Sequence, residues 1–243
     1  MNIHRPPLVR GMATVIDTQR ITPKMQRITL DVSALEGLRI EIPAHAMKLF
    51  FTVPGQEDVE GRAYTVRHYH AESSTMSIDF ILHGSGIAAT WASEVQPGAQ
   101  IEIGGPRAGY HYQAESAWQL FVGDATAIPA ILSAIESLPA GVKVMAFMEI
   151  ENEAEQQSYH AIADVSVIWV YRQDESINSG KHLLQALREA EFPAGLAQVF
   201  IGAESMLTKR IRQHLREEPR ISMGNVHATG YWKMGETDYH DHQ

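Results

Sequence analysis

The chain has 243 residues, of which 44% are hydrophobic and 20% charged, a composition typical of a globular protein long enough for two compact domains. Its net charge of −9 is uneven, since residues 1–113 hold 10 basic and 11 acidic side chains and residues 114–243 hold 10 and 18. A nucleic-acid-binding surface is therefore not expected. With no cysteine in the chain, disulfides, thiolate metal sites and cysteine nucleophiles are excluded.

Short β-rich runs fill the first part of the chain, from about Val9 to Ile103, and Pro, Gly and acidic residues separate them. These predicted strands read GMATVIDTQRI, MQRITLDV, MKLFFTV, RAYTVRHYH, TMSIDFIL and QIEI. Six short strands at this spacing predict a small antiparallel barrel or sandwich. One segment, GIAATWASEV at residues 86–95, instead predicts a single short helix because of its Ala, Trp and Glu content.

Strands and helices alternate after Trp118, which predicts a mostly parallel sheet with helices on its faces. We place the boundary in GGPRAGYHYQAES, residues 104–116, so the predicted domains are residues 1–113 and 114–243. The apolar runs are too short to span a bilayer, and the first residues lack the apolar core of a secretory signal. We therefore expect a cytoplasmic protein.

The segment GRAYTVRHYH, residues 61–70, carries an unusual amount of polar and aromatic chemistry for a strand. In an extended strand Arg62 and Tyr64 share one face and Thr65 lies on the other. A guanidinium and a phenol two residues apart offer a phosphate fork and a flat ring to a ligand. The same pattern also fits a half-buried aromatic residue beside a solvated arginine, so both interpretations stay open at this point.

A second candidate site is LHGSGIAATWASEV, residues 82–95, where Gly84 and Gly86 precede the predicted helix. Unpaired backbone N–H groups point out of a helix start and suit a pyrophosphate. The alternative is a glycine turn into a connecting helix whose Trp91 fills the end of the barrel.

Taken in order, these segments resemble the flavin-binding domain of the ferredoxin-reductase-like superfamily and, more specifically, the siderophore-interacting protein family of FAD-containing ferric-siderophore reductases. The resemblance extends over almost the whole chain. It is carried by MKLFF (47–51), RAYTVR (62–67), DFILHGSGIAATWA (79–92), PGAQIEIGGPRA (97–108), GDATAIPAI (123–131), GAES (202–205) and GYWKMG (230–235). It implies a ferredoxin-NADP reductase-like fold, in which an FAD-binding β-barrel domain precedes an α/β domain whose C-terminal segment closes over the flavin.

The resemblance also implies a set of cofactor-binding residues. Arg62 would bind the FAD phosphates, Tyr64 would pack against the isoalloxazine, and Thr65 would hydrogen-bond near its redox edge. Asp124 and Thr126 would lie where the α/β domain faces the flavin. The remaining implied cofactor residues are Ala63, His83, Gly84, Gly86, Ile87, Ala88, Ala89, Thr90 and Trp232. The family usually has Pro where this chain has Ile87.

Three cations are predicted to bind an anionic substrate, namely Lys48, Arg107 and Lys233, the last at a position where the family often has Arg. NAD(P)H would approach GDATA and GAES, with Glu204 near the ribose. Arg172, Lys209 or Arg210 would serve a 2′-phosphate if the donor is NADPH.

The predicted function is reduction of Fe(III) in a ferric siderophore by FAD and NAD(P)H or another reductant, in a monomeric enzyme that needs no catalytic acid or base. One alternative is a general flavin or ferric reductase without siderophore specificity. Another is a non-catalytic siderophore or metal binder. The binder would use His68 and His70 of one strand, His83 of another, and the tail residues His240, Asp241 and His242. We expect no resident metal site.

Overall fold

A computed structural model of the chain describes residues 8–53, 55, 58–84, 86–172 and 180–236. The chain divides into two compact units between His111 and Tyr112. Within the described ranges, no helix is both long enough and apolar enough to cross a membrane.

The first unit is a closed barrel of antiparallel strands in the order β1-β2-β5-β4-β3-β6. The strands are β1 (Val9–Thr22), β2 (Met25–Asp31), β3 (Ala46–Thr52), β4 (Val59–His70), β5 (Thr75–Ile81) and β6 (Gln100–Arg107), and the helix α1 is Ile87–Glu94. The prediction of six strands and one helix is confirmed. Closure decides between the two predicted architectures in favour of the barrel.

Alternation along β3 separates the barrel core from its surface. Met47, Leu49 and Phe51 are buried, and the residues between them are partly exposed. Helix α1 packs on this core through Trp91, whose ring centroid lies 5.5 Å from that of Phe51 and 5.6 Å from that of Phe80. Trp91 is therefore a packing residue of the barrel.

The second unit is a five-stranded sheet in the order β11-β10-β7-β8-β9, and all neighbouring strands are parallel. Its strands are β7 (Trp118–Asp124), β8 (Lys143–Ile150), β9 (Asp164–Tyr171), β10 (Ala197–Glu204) and β11 (Ile221–Trp232). Its helices are α2 (Ile128–Ser137), α3 (Lys181–Glu189) and α4 (Ser205–Leu215). The predicted α/β alternation and parallel sheet are confirmed.

Leucines of α3 and α4 bury one face of this sheet. Leu183 and Leu207 belong to the same buried cluster as Leu120 and Val122 of β7. Because parallel strands end at one edge, the last residues of neighbouring strands come together there. In open α/β sheets this edge is the usual place for ligands.

Candidate functional site

Strand register brings three predicted site residues onto one outward face of the barrel. Ala46 of β3 pairs with Thr65 of β4 on one side and with Arg107 of β6 on the other. Two residues further along β3, Lys48 pairs with Ala63 and Gly104 on the same two strands. Directly paired residues point to the same side of a sheet. Thr65, Arg107 and Lys48 therefore share what we call the β4–β3–β6 face.

The cations of this face differ in their partners. Within the described ranges, neither the Lys48 ammonium nor the Arg107 guanidinium has an acidic partner. The neighbouring Arg10 does have one, because its Nε and Nη2 atoms each donate to Glu102 at 2.8 Å. Two of the three predicted substrate cations thus lie on one face of the barrel without an acidic partner among the described residues, which favours binding of an anion.

Arg62 and Tyr64 lie on the opposite side of β4, beside Leu49 and Met47 respectively. The Tyr64 ring packs 4.4 Å from that of Phe80, and burial raises the pKa of Tyr64 to about 12 although Arg62 acts to lower it. The phenol therefore stays neutral at physiological pH.

The Arg62 guanidinium has neighbours on its own strand. It donates from Nη2 to Glu60 Oε2 in an ion pair and from Nη1 to the carbonyl of Gly61 at 3.3 Å. Glu60 would therefore compete with a phosphate for this arginine. About a fifth of the Arg62 side chain is exposed, compared with 45% of the Glu60 side chain. Glu60 is therefore the partner that can leave the ion pair for solvent, while Arg62 stays largely buried.

The start of α1 fits a pyrophosphate. Gly84 and Gly86 have φ of 77° and 88°, a region that favours glycine, and no described side chain caps the helix start. The amides of Ile87, Ala88 and Ala89 lie in this first turn, whereas the N–H of Thr90 is bonded to the carbonyl of Gly86 at 3.0 Å. The preceding residue His83 is exposed and follows the end of β5 rather than lying on a strand as predicted.

In the second unit, three predicted cofactor residues form one hydrogen-bonded group around Asp124 at the end of β7. Asp124 Oδ1 accepts from the backbone N–H of Thr126 at 2.9 Å and from its hydroxyl. Asp124 Oδ2 accepts from the backbone N–H of Glu204 at 2.8 Å and from Trp232 Nε1 at 3.0 Å. Gly123 makes this packing possible, because a Cβ there would lie 2.7 Å from both Ala127 Cβ and a backbone oxygen.

A second acid, Glu149, is the penultimate residue of β8, pairs with Asp124 and is 2% exposed. Burial raises the pKa of Glu149, nearby Arg172 opposes this and Asp124 adds to it. Its carboxylate also accepts a hydrogen bond from the backbone N–H of Leu183, in the first turn of α3. Glu149 was not among the residues predicted from sequence.

Glu204, predicted near a nicotinamide ribose, is 4% exposed and caps α4 by accepting from the backbone N–H of Leu207 at 2.9 Å. Lys209 and Arg210 of the same helix are exposed. The predicted substrate cation Lys233 forms an ion pair with Glu236. Its charge is thus partly compensated, whereas Lys48 has no acidic partner among the described residues.

The histidines proposed for the alternative metal site are only partly brought together. His68 and His70 of β4 stack with centroids 6.4 Å apart. Over the residues that the structure describes, no group of three or more His, Cys, Asp or Glu side chains is arranged to hold a metal ion. His240, Asp241 and His242 lie outside those residues.

Comparison with protein families identifies both units. Residues 14–61 and 53–110 match the siderophore-interacting FAD-binding domain, and residues 116–235 match the siderophore-interacting protein family. The ferric vibriobactin reductase ViuB of Vibrio cholerae is 30% identical over 185 residues, which are 74% of this chain and 68% of ViuB. The chain belongs to the siderophore-interacting protein family.

A solved structure supports this membership over the full length. A siderophore utilization protein from T. fusca superposes with a TM-score of 0.90 and 32% identity, covering 99% of this chain and 98% of that one. The NADPH-dependent ferric-chelate reductase of Escherichia coli is 26% identical, with 90% of this chain and 91% of the relative covered. The predicted family, fold and FAD cofactor are confirmed. The roles of individual site residues remain predictions.

Another residue that no sequence pattern indicated is His45, which is 3% exposed and directly precedes β3. Its Nδ1 donates to the carbonyl of Ala108, and its buried Nε2 has no partner among the described residues. Because the partner is 63 residues away in sequence, no local signal reveals this contact. The contact fastens the segment after Arg107 to the start of β3.

Proposed function

We propose that this chain is an FAD-dependent ferric-siderophore reductase, which reduces Fe(III) to Fe(II) in a siderophore complex with NAD(P)H or another reductant as the electron source. The family membership and the reductases among its relatives support this reaction class. Fe(III) prefers hard oxygen ligands, and its reduction weakens that coordination. Electron transfer alone therefore releases the iron, and no catalytic acid or base is required.

The observation that carries the substrate assignment is that Lys48 and Arg107, which have no acidic partner among the described residues, share a face with Thr65. Siderophores bind iron through oxygen anions, so their ferric complexes commonly carry negative charge. Lys48 and Arg107 would attract such a complex and hold it at the barrel surface. Lys233 of the second unit stays a predicted substrate cation from the family resemblance, and its own charge is partly compensated by Glu236.

Bound FAD supplies the conversion between a two-electron hydride donor and an iron centre that accepts one electron at a time. The amides at the start of α1 and the Arg62 guanidinium would hold the cofactor's phosphates. Tyr64 would offer a neutral aromatic surface, since the pKa of its phenol is about 12. The Thr65 hydroxyl would hydrogen-bond at the edge of the flavin ring.

We further propose a monomer that works in the cytoplasm, where a reducing environment keeps the released iron as Fe(II). NADPH is the expected donor because the relative from Escherichia coli is named for it. The exposed Lys209 and Arg210 are candidates for its 2′-phosphate.

FAD titration of the purified protein tests the cofactor site directly. We expect saturable binding that turns the protein yellow and a loss of affinity of at least roughly tenfold in Arg62→Ala, because the arginine contacts a charged phosphate. Arg20→Ala is the control, since Arg20 is exposed and its guanidinium donates to the carbonyl of Pro23 at 3.1 Å. A colourless protein that takes up no FAD would favour the non-catalytic binder.

A further inference from the structure

Gly61 is the third residue of β4, and glycine is unfavourable within a strand because it loses much conformational freedom and contributes no side chain to the sheet. Its backbone does not require glycine, since Gly61 is absent from the residues with positive φ. Space explains it instead. A Cβ at this position would lie 2.1 Å from Lys48 Cε and 3.1 Å from both Lys48 Cδ and Lys48 Nζ.

The Lys48 side chain therefore lies diagonally across β4. Its own strand partner on β4 is Ala63, and Gly61 is two residues further along. A side chain on residue 61 would displace the methylene groups and the ammonium of Lys48 together. Gly61 leaves open the groove in which Lys48 lies.

The other wall of this groove is the ring of Phe50, which pairs with Gly61. Lys48 Nζ lies 5.9 Å from the centroid of that ring. The ring is itself held in place, because Arg10 lies over it at 4.2 Å and is bonded to Glu102. The Lys48 side chain thus lies between the fixed ring of Phe50 and Gly61, which has no side chain of its own.

This placement matters because a lysine side chain normally loses much rotational freedom when it binds a ligand. A side chain that already has its ligand-bound conformation in the free protein loses less rotational freedom on binding, and the affinity is therefore higher. We propose that Gly61 is a positioning residue for the anionic ferric complex: by leaving space on β4, it fixes the Lys48 ammonium over the β4–β3–β6 face. This inference rests on the proposed function, because it assumes that Lys48 contacts the substrate.

The test is Gly61→Ala in the FAD-loaded protein. We expect normal FAD content and thermal stability, since the clash involves the movable end of a lysine. The KM for an anionic ferric siderophore should rise roughly three- to tenfold, with little change in kcat at saturation, because the substrate loses a preformed contact. Gly104→Ala is the matched control. It also faces Lys48, but its Cβ would make only ordinary contacts, the nearest at 3.5 Å to Phe50.

A double-mutant cycle separates positioning from a general disturbance of the barrel. If Gly61 acts through Lys48, Gly61→Ala should have no further effect on KM in a Lys48→Ala background. An equal effect in both backgrounds would overturn the inference, as would a KM for Gly61→Ala equal to that of Gly104→Ala.

The cycle also distinguishes failure of this inference from failure of the proposed function. Absence of siderophore reduction by the wild-type protein would refute both. Normal reduction with an unchanged KM in Lys48→Ala would remove Lys48 from the substrate site, and the positioning role with it. A raised KM in Lys48→Ala but not in Gly61→Ala would overturn the positioning role alone.

Discussion

Trp232 donates its indole Nε1–H to Asp124 Oδ2 over 3.0 Å, so the end of the last strand is fastened to the end of β7, 108 residues earlier in the chain. The same carboxylate oxygen accepts from the backbone N–H of Glu204. Asp124 thereby joins three strands, β7, β10 and β11, at the carboxyl edge of the sheet. Residues predicted to bind a cofactor thus also hold this edge together.

Replacement of these two residues should affect stability unequally. Trp232→Phe removes one hydrogen bond and should lower the free energy of unfolding by about 1 kcal/mol, whereas Asp124→Ala strands the buried Glu204 N–H and should lower it by about 2–3 kcal/mol. Urea denaturation followed by circular dichroism measures both. In an Asp124→Ala background Trp232→Phe should cost less than it does alone, and an undiminished cost would contradict the described coupling.

Reversal of the charge at Lys48 should slow reduction of anionic ferric complexes. Lys48→Glu places a negative charge beside an anion, so we expect a roughly tenfold lower kcat/KM at low ionic strength and an unchanged flavin content. Added salt should shrink the difference from wild type, because exposed charges are screened. Lys143→Glu is the control, with the same charge change at the amino end of β8. Equal rates at all salt concentrations would remove Lys48 from the substrate site.

Glu149 should make the stability of the protein depend on pH. Burial raises its pKa above the ordinary 4.5, so the folded state holds the proton more tightly than the unfolded state does. The stabilisation is complete below pH 4.5 and is lost as the pH rises through the folded-state pKa. Glu149→Gln has no charge to bury and should therefore gain stability relative to wild type as the pH rises above 4.5.

Urea unfolding of both proteins at several pH values above 4.5 measures the effect. Glu153→Gln, a change at an exposed residue nearby, should show no such trend. A difference between Glu149→Gln and wild type that stays constant with pH would contradict the raised pKa.

The fold could be predicted from the sequence because its signals are local. WQLFVGD is a short apolar run that ends in Gly-Asp, and GIAATWASEV has the composition of a helix, so β7 and α1 were both predicted. The even spacing of the first six strands indicated closure or packing of an antiparallel sheet. The strand pattern alone left barrel and sandwich open, the family resemblance implied the barrel, and the closed sheet confirms it.

The site could be predicted in part only, because much of it depends on register between distant strands. The pairing of Ala46 with both Thr65 and Arg107 cannot be read from one segment, and neither can the path of Lys48 over Gly61. One signal was present, since a glycine inside a strand often marks the close approach of another group. The ion pair of Arg62 with Glu60 was not predicted, although the two residues are two apart on one strand and so share a face.

Single-turnover electron transfer tests the central claim most directly. The FAD-loaded protein is reduced under anaerobic conditions and mixed with ferric siderophores or with ferric citrate, while flavin reoxidation and Fe(II) formation are followed together. We predict two Fe(II) formed for each flavin reoxidised, and faster transfer to at least one siderophore class than to citrate. Flavin that stays reduced in the presence of every ferric siderophore would contradict the proposed reductase, and equal rates for all complexes would indicate a general ferric reductase.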